Sequence, residues 1–145
     1  MALSAEYFWQ ASLHIYQQNG IQPHLLALQD EQGLNVNLEL LRMLLSGEES
    51  AAADVASPKF GKPLSDAEYQ QLHTIVMRFS RAYTQQVRTL RRQLTDQQAH
   101  PPLNEKSRKQ LKSQLLAAEL GLEKEEQALL LCSLTTLRQV PGAES

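Results

Sequence analysis

From Tyr69 to Leu94 an apolar residue returns every third or fourth position: Tyr69, Leu72, Val76, Phe79, Tyr83, Val87, Leu90 and Leu94. A half-buried strand would alternate with a period of two, so this spacing predicts an amphipathic helix with one stripe turned toward a partner helix. Ser65 and Glu68 stand where a capping box needs them, each side chain within reach of the other's backbone N–H, so the helix is expected to begin there. Running from 65 to 95, it would reach roughly 45 Å. A second long helix is predicted from about Asn104 to Gln139, with Leu111, Leu115, Ala118, Leu122 and Leu129 along its stripe. Between the two, Asp96–Leu103 contains Pro101-Pro102, which removes two N–H donors and ends the pattern. Residues 65–140 therefore read as a long antiparallel helical hairpin.

Shorter helices precede it. The first is expected from the N-cap Ser4 to Gln18, with Phe8, Trp9, Leu13 and Tyr16 on its core face and Gly20 past its end. The second runs from about Pro23 to Gln32 and is closed by Gly33; Asn35 caps the third, which ends near Leu45. Residues 47–64 mix small, polar and ring-constrained side chains without periodicity and read as a mobile loop; residues 141–145 read as a disordered tail. The fold class is all-α, a long antiparallel hairpin with three shorter N-terminal helices (4–46) packed on it in a single domain of 145 residues. Richness in Gln, Glu, Leu and Ala with few β-branched residues agrees.

The chain shows no apolar run long enough to span a bilayer and no basic segment followed by an apolar leader at Met1–Tyr16, so a cytoplasmic location without membrane attachment is expected. The single cysteine, Cys132, cannot form an internal disulfide; within Leu129-Leu130-Leu131-Cys132 it is expected to be buried and inert.

Several blocks carry a resemblance. Phe8-Trp9, Tyr16, Leu26-Ala27-Leu28-Gln29-Asp30, Gly33 and Val36-Asn37-Leu38 resemble the N-terminal signature of an uncharacterised proteobacterial family labelled domain of unknown function 2390. Val87-Arg88-Thr89-Leu90-Arg91-Arg92 and Ala118-Glu119-Leu120 resemble its basic and acidic helical motifs, so the likeness covers about residues 8–131. After Leu41 the family usually has an apolar helix end with an aromatic, where this chain has Arg42-Met43. The resemblance implies an all-helical bacterial protein and assigns no activity.

Catalytic chemistry finds little to stand on. His14, His24, His73 and His100 are scattered, no Glu-x-x-His pair occurs, and Glu68 and His73 are misspaced for one. No nucleophile elbow or glycine-rich phosphate loop is present, and Asp30, Asp54, Asp66 and Asp96 are too dispersed for an aspartate-rich site. No cofactor and no metal are expected. The polar corner around Gly33 has two readings. Asn35, with Asp30 or Gln29, closes backbone groups there. Alternatively Gln29, Asp30, Asn35 and Asn37 line a small recognition notch against Trp9 or Tyr16, a small-ligand or catalytic site and the weakest functional candidate.

Charge is uneven although the net is only −2. Residues 1–46 hold four acids and one arginine; residues 65–95 hold five arginines and two acids. A turn near residue 99 would gather Arg88, Arg91 and Arg92 with Lys106, Arg108, Lys109 and Lys112 at one tip, while Arg78 and Arg81 would pair with Glu119 and Glu123. Cations at the start of a helix oppose its dipole, so the tip is a candidate anion or RNA-backbone site built on Arg88, Arg91, Arg92, Arg108 and Lys109, read against ordinary solvated charges. The leading expectation is a non-enzymatic module that binds a protein partner. Leu129–Leu134 is apolar almost all round the helix, more surface than one thin N-terminal layer is expected to cover, which adds an expected homodimer.

Overall fold

The computed structural model describes residues 3–18, 20–46, 62–95 and 104–139. These residues are helical almost throughout, and no strand occurs among them. Helices α1 (Ala5–Tyr16), α2 (Ile21–Gln32) and α3 (Val36–Ser46) are short. Helix α4 (Asp66–Phe79) passes through a π-helical turn, Ser80–Thr84, into α5 (Gln85–Thr95), and α6 (Glu105–Gln139) is the long return helix. The predicted loop 47–64, apart from residues 62–64, and the tail 141–145 lie outside the described residues.

Local chemistry sets the helix ends as expected. Ser4 Oγ accepts from the Tyr7 N–H, Asn35 Oδ1 from Leu38 and Asn104 Oδ1 from Ser107. Ser65 and Glu68 form the reciprocal capping box. Gly33 closes α2 at φ +67°, a left-handed conformation that glycine adopts without Cβ strain. Its N–H reaches Gln29 O, the bond of a left-handed helix cap, and that of Leu34 reaches Leu28 O.

The core joins Phe8 and Ile15 of α1, Leu25 of α2, Leu38, Leu41 and Leu44 of α3, Leu72 and Val76 of α4, and Leu130 and Leu134 of α6. Helix α1 is turned relative to the expected face: Phe8, Ala11, Ser12 and Ile15 are buried, Trp9 and Tyr16 half-buried, and Leu13 is 39% exposed. The run 129–134 is covered, with Leu130 and Leu134 buried and Leu131 packed against the core. Cys132, expected to be inside, is exposed, because burial of Leu130 and Leu134 leaves position 132 on the opposite side of α6. Arg42-Met43 fits the end of α3: Arg42 pairs with Glu39 at 3.2 Å and Met43 lies against the core.

Helices α4 and α6 run antiparallel, as the pairing of Glu68 with Arg138 and of Arg88 with Glu119 requires. The apolar stripe does not continue inward past Phe79. Ser80 and Thr84 are buried instead, whereas Tyr83 is 55% and Leu90 48% exposed. A π turn closes i→i+5 and holds more residues than an α turn, so positions 80 and 84 stay on the facing side where an α-helix would have presented 83. Beyond the turn, α5 contributes no buried residue.

The near end of the hairpin is clamped by Arg138. Its Nε bonds Glu68 Oε2 at 2.9 Å, and its Nη2 bonds the Lys62 and Pro63 carbonyls. The hydrogen bond from Arg138 holds the Glu68 carboxyl down from 4.5 to about 2, against the opposing effect of burial. A carboxylate depressed in the folded state stabilises above its unfolded value, and this is lost as pH falls from about 4.5 toward 2. Arg138→Ala should lower stability by about 1–3 kcal/mol at pH 7 and flatten the loss below pH 4.5. Urea unfolding curves across pH check both effects.

Candidate binding groove

The inward face of α6 is polar over its middle third. Glu119, Glu126 and Gln127 are buried, and Glu123 lies between them on the same side. The expected stripe is displaced: Ala118 and Leu111 are exposed, and Leu115, Leu122 and Leu129 are only partly buried. Facing this polar strip are Arg88 and Arg91 of α5, so the far half of the hairpin closes on ion pairs rather than on leucines.

Glu119 receives Arg88 Nε at 3.1 Å and Arg91 Nε at 2.6 Å, while Arg88 Nη2 lies 3.7 Å from Glu123. Burial opposes ionisation of Glu119, but the hydrogen bonds from Arg91 and Arg88 outweigh it and hold its carboxyl below the ordinary value. Glu123 goes the other way: burial, reinforced by the charges of Glu119 and Glu126 against the pull of Arg88, raises it to about 7. Burial and Glu123 also raise the Tyr16 hydroxyl.

Arg88 and Arg91, not Arg78 and Arg81, are thus the partners of Glu119 and Glu123, a register about three turns along from the one expected. Arg78 and Arg81 are exposed. The seven-cation tip is divided accordingly. Arg88, Arg91 and Arg92 sit beside Glu119, whereas Arg108 and Lys109 lie roughly 15 Å before it along α6. Arg92 is exposed and has no ion pair among the described residues.

A groove of about 360 Å³ opens beside the strip, and it unites residues that the sequence had put in two separate sites. Trp9, Tyr16, Gln29 and Asn37 of the notch line it together with Arg88, Arg91 and Arg92. Asp30 is exposed and stands apart; Asn35 is buried in the network behind the groove. The apolar wall comes from Leu13, Leu116 and Leu120, which are 39%, 46% and 42% exposed. Lys124 Nζ lies 5.0 Å over the ring of Trp9, a lining residue, and adds a cation to the three arginines of the groove.

Behind the groove the amides form an ordered chain. Asn37 Nδ2 donates to Glu126 Oε1 at 3.0 Å, Gln127 Nε2 to Asn37 Oδ1 and to Ser12 Oγ at 2.9 Å, and Ser12 Oγ to the Phe8 carbonyl at 2.7 Å. A carboxylate only accepts, so Glu126 dictates which way each amide points. Sequence reading named Asn35 and Asn37, and Glu119 and Glu123 as ion-pair acceptors with other arginines, but missed Ser12, Glu126 and Gln127. The available signal was the 119, 123, 126, 127 spacing, one face of a helix, which is masked by leucines on the flanking positions.

Among the described residues no three His, Cys, Asp or Glu side chains converge to hold a metal, and no helix is long and apolar enough to cross a membrane. The geometry offers recognition chemistry: an apolar wall, an aromatic edge and cations. The model of a protein family of unknown function, DUF2390, matches residues 7–130. The chain belongs to that family. No curated protein and no solved structure matches it.

Removing a buried carboxylate strands its two arginines, so Glu119→Ala should destabilise by about 3 kcal/mol, measured by urea unfolding at pH 7. Glu123 carries the opposite pH sign. A carboxyl raised from 4.5 to about 7 in the folded state makes stability fall as pH rises through that interval. Glu123→Gln should therefore unfold with the same midpoint at pH 5 and pH 8 as far as this group is concerned. In the wild type, carboxyl-detected NMR should find its titration near pH 7.

Proposed function

We propose that this protein is a non-enzymatic binding module whose groove receives an acidic, amphipathic helical segment of a protein partner. The observation that supports this reading most directly is the company of exposed Leu13, Leu116 and Leu120 with Arg92 and Lys124, neither of which has an ion pair among the described residues. Exposed leucines along one helix favour apolar anchors at helical spacing, and the flanking cations favour acids between those anchors. Leu90 and Leu111, 48% and 39% exposed, extend the apolar surface of the far hairpin. An RNA-backbone reading draws less support, because Arg88 and Arg91 are committed to Glu119. Homodimerisation loses its expected surface with the covering of Leu130 and Leu134.

Trp9 is the only tryptophan and lines the groove, so its fluorescence reports occupancy. A synthetic amphipathic helix with leucine anchors and glutamates should shift the emission saturably, and the affinity should weaken as salt is raised. The double variant Leu116→Asp, Leu120→Asp changes exposed positions and should reduce affinity at least tenfold while leaving the helical circular dichroism unchanged. Equal affinity for a lysine-bearing peptide, or no effect of the double variant, would refute the proposal. Capture from lysate that is lost with nuclease would favour the RNA reading, and a dimeric mass by light scattering would favour self-association.

A further inference from the structure

Gln127 lines the groove and is 2% exposed. Its Nε2 donates to Ser12 Oγ and to Asn37 Oδ1, both at 2.9 Å, and both partners line the groove as well. Its Oε1, on the same planar amide, has no hydrogen-bond partner among the described residues. Among those residues no other one lining the groove leaves a buried side-chain oxygen or nitrogen unpaired. A buried amide oxygen without a donor is costly, and native interiors almost always give such an atom a partner.

The unpaired atom has a fixed character. Asn37 commits its Nδ2 to Glu126 Oε1 and the Glu123 carbonyl, and Ser12 gives its hydroxyl hydrogen to the Phe8 carbonyl. Turning the Gln127 amide over would set its oxygen against Asn37 Oδ1, so the network presents an acceptor here and has no donor to spare. Whatever completes it must bring an O–H or N–H. Cationic donors are disfavoured by Arg92 and Lys124 at the same groove. A small polar side chain would leave the lining of Trp9, Leu26, Leu40 and Leu120 uncovered. Tyrosine joins a large apolar ring to one donor, and that donor stands at the ring's tip, where it reaches a buried acceptor end-on; indole carries its N–H on an edge. The groove, about 360 Å³, falls in the range of pockets that enclose whole ligand molecules, so a single ring has room.

We propose that the groove selects a tyrosine side chain of the acidic helix as its anchor, with the ring against the apolar lining and the phenol O–H donating to Gln127 Oε1. This inference rests on the groove being a peptide site and adds which side chain it prefers. Gln127 is then a specificity-determining residue: a phenylalanine or leucine in the same place covers the apolar lining and leaves the acceptor unpaired.

The test compares three peptides that differ at one central anchor of the same glutamate-bearing helix, tyrosine, phenylalanine or leucine, by isothermal titration calorimetry on the full chain. Phenylalanine is the more hydrophobic ring, so burial alone would favour it over tyrosine. Tyrosine should instead bind at least about fivefold tighter than either. In Gln127→Met the ratio of tyrosine to phenylalanine affinity should fall to about one or below, whereas a merely structural role would weaken both peptides alike and keep the ratio. Should that variant fail to fold, the comparison of tyrosine with phenylalanine on the unaltered chain decides. Equal binding of these two, the result expected if water alone serves Oε1, overturns the proposal and leaves the groove reading standing. Failure of all three peptides to bind overturns both, and a tyrosine preference that survives in Gln127→Met overturns the role of Gln127.

Discussion

Glu119, a carboxylate 6% exposed, determines how the far half of the hairpin closes. Helix α5 brings no buried side chain to that half, so its attachment to α6 rests on Arg88 and Arg91 meeting one carboxylate. Buried ion pairs add little net stability, since desolvating the charges offsets most of their attraction. What they contribute here is register. A leucine seam would tolerate a shift of one turn, whereas two guanidinium nitrogens within hydrogen-bond reach of one carboxylate would not.

The same polar strip orders the layer above it. Glu126 can only accept, so Asn37 must donate to it and Gln127 must donate to Asn37 and to Ser12, which ties α1, α3 and α6 together in one direction. Apolar packing holds the near half, where Phe8, Leu38, Leu72 and Leu130 are fully buried. The molecule therefore has two halves with different cohesion, and the groove lies where the apolar core gives way to the charged seam. Its wall leucines are exposed for that reason: Leu116 and Leu120 flank Glu119 on α6, and the N-terminal helices cover the near half instead.

The surface at this boundary is made by several elements together rather than by any single residue. Trp9 and Tyr16 come from α1, Arg92 from α5, and Leu116 and Leu120 from α6, and together they make a surface that is apolar along one wall and cationic at its edges. Glu123 also lines this groove, and burial raises its carboxyl to about 7.

Helix content, helix ends and the antiparallel hairpin were legible in the sequence, because capping by Ser4, Asn35, Ser65 and Asn104 and the left-handed turn at Gly33 are decided within four or five residues. Family membership was equally legible in the blocks around Trp9 and Asn37. The inward face was not. Leucine periodicity in residues 79–94 and 111–122 pointed to an apolar seam, but the π turn at Ser80–Thr84 rotates α5 so that arginines face α6, and the buried face of α6 carries glutamates. Amphipathic spacing identifies a stripe and says nothing of which stripe is covered when a helix has polar and apolar ones of equal period. That choice belongs to tertiary structure, where the pairing of Arg88 and Arg91 with Glu119 selects the register and leaves the leucines outside.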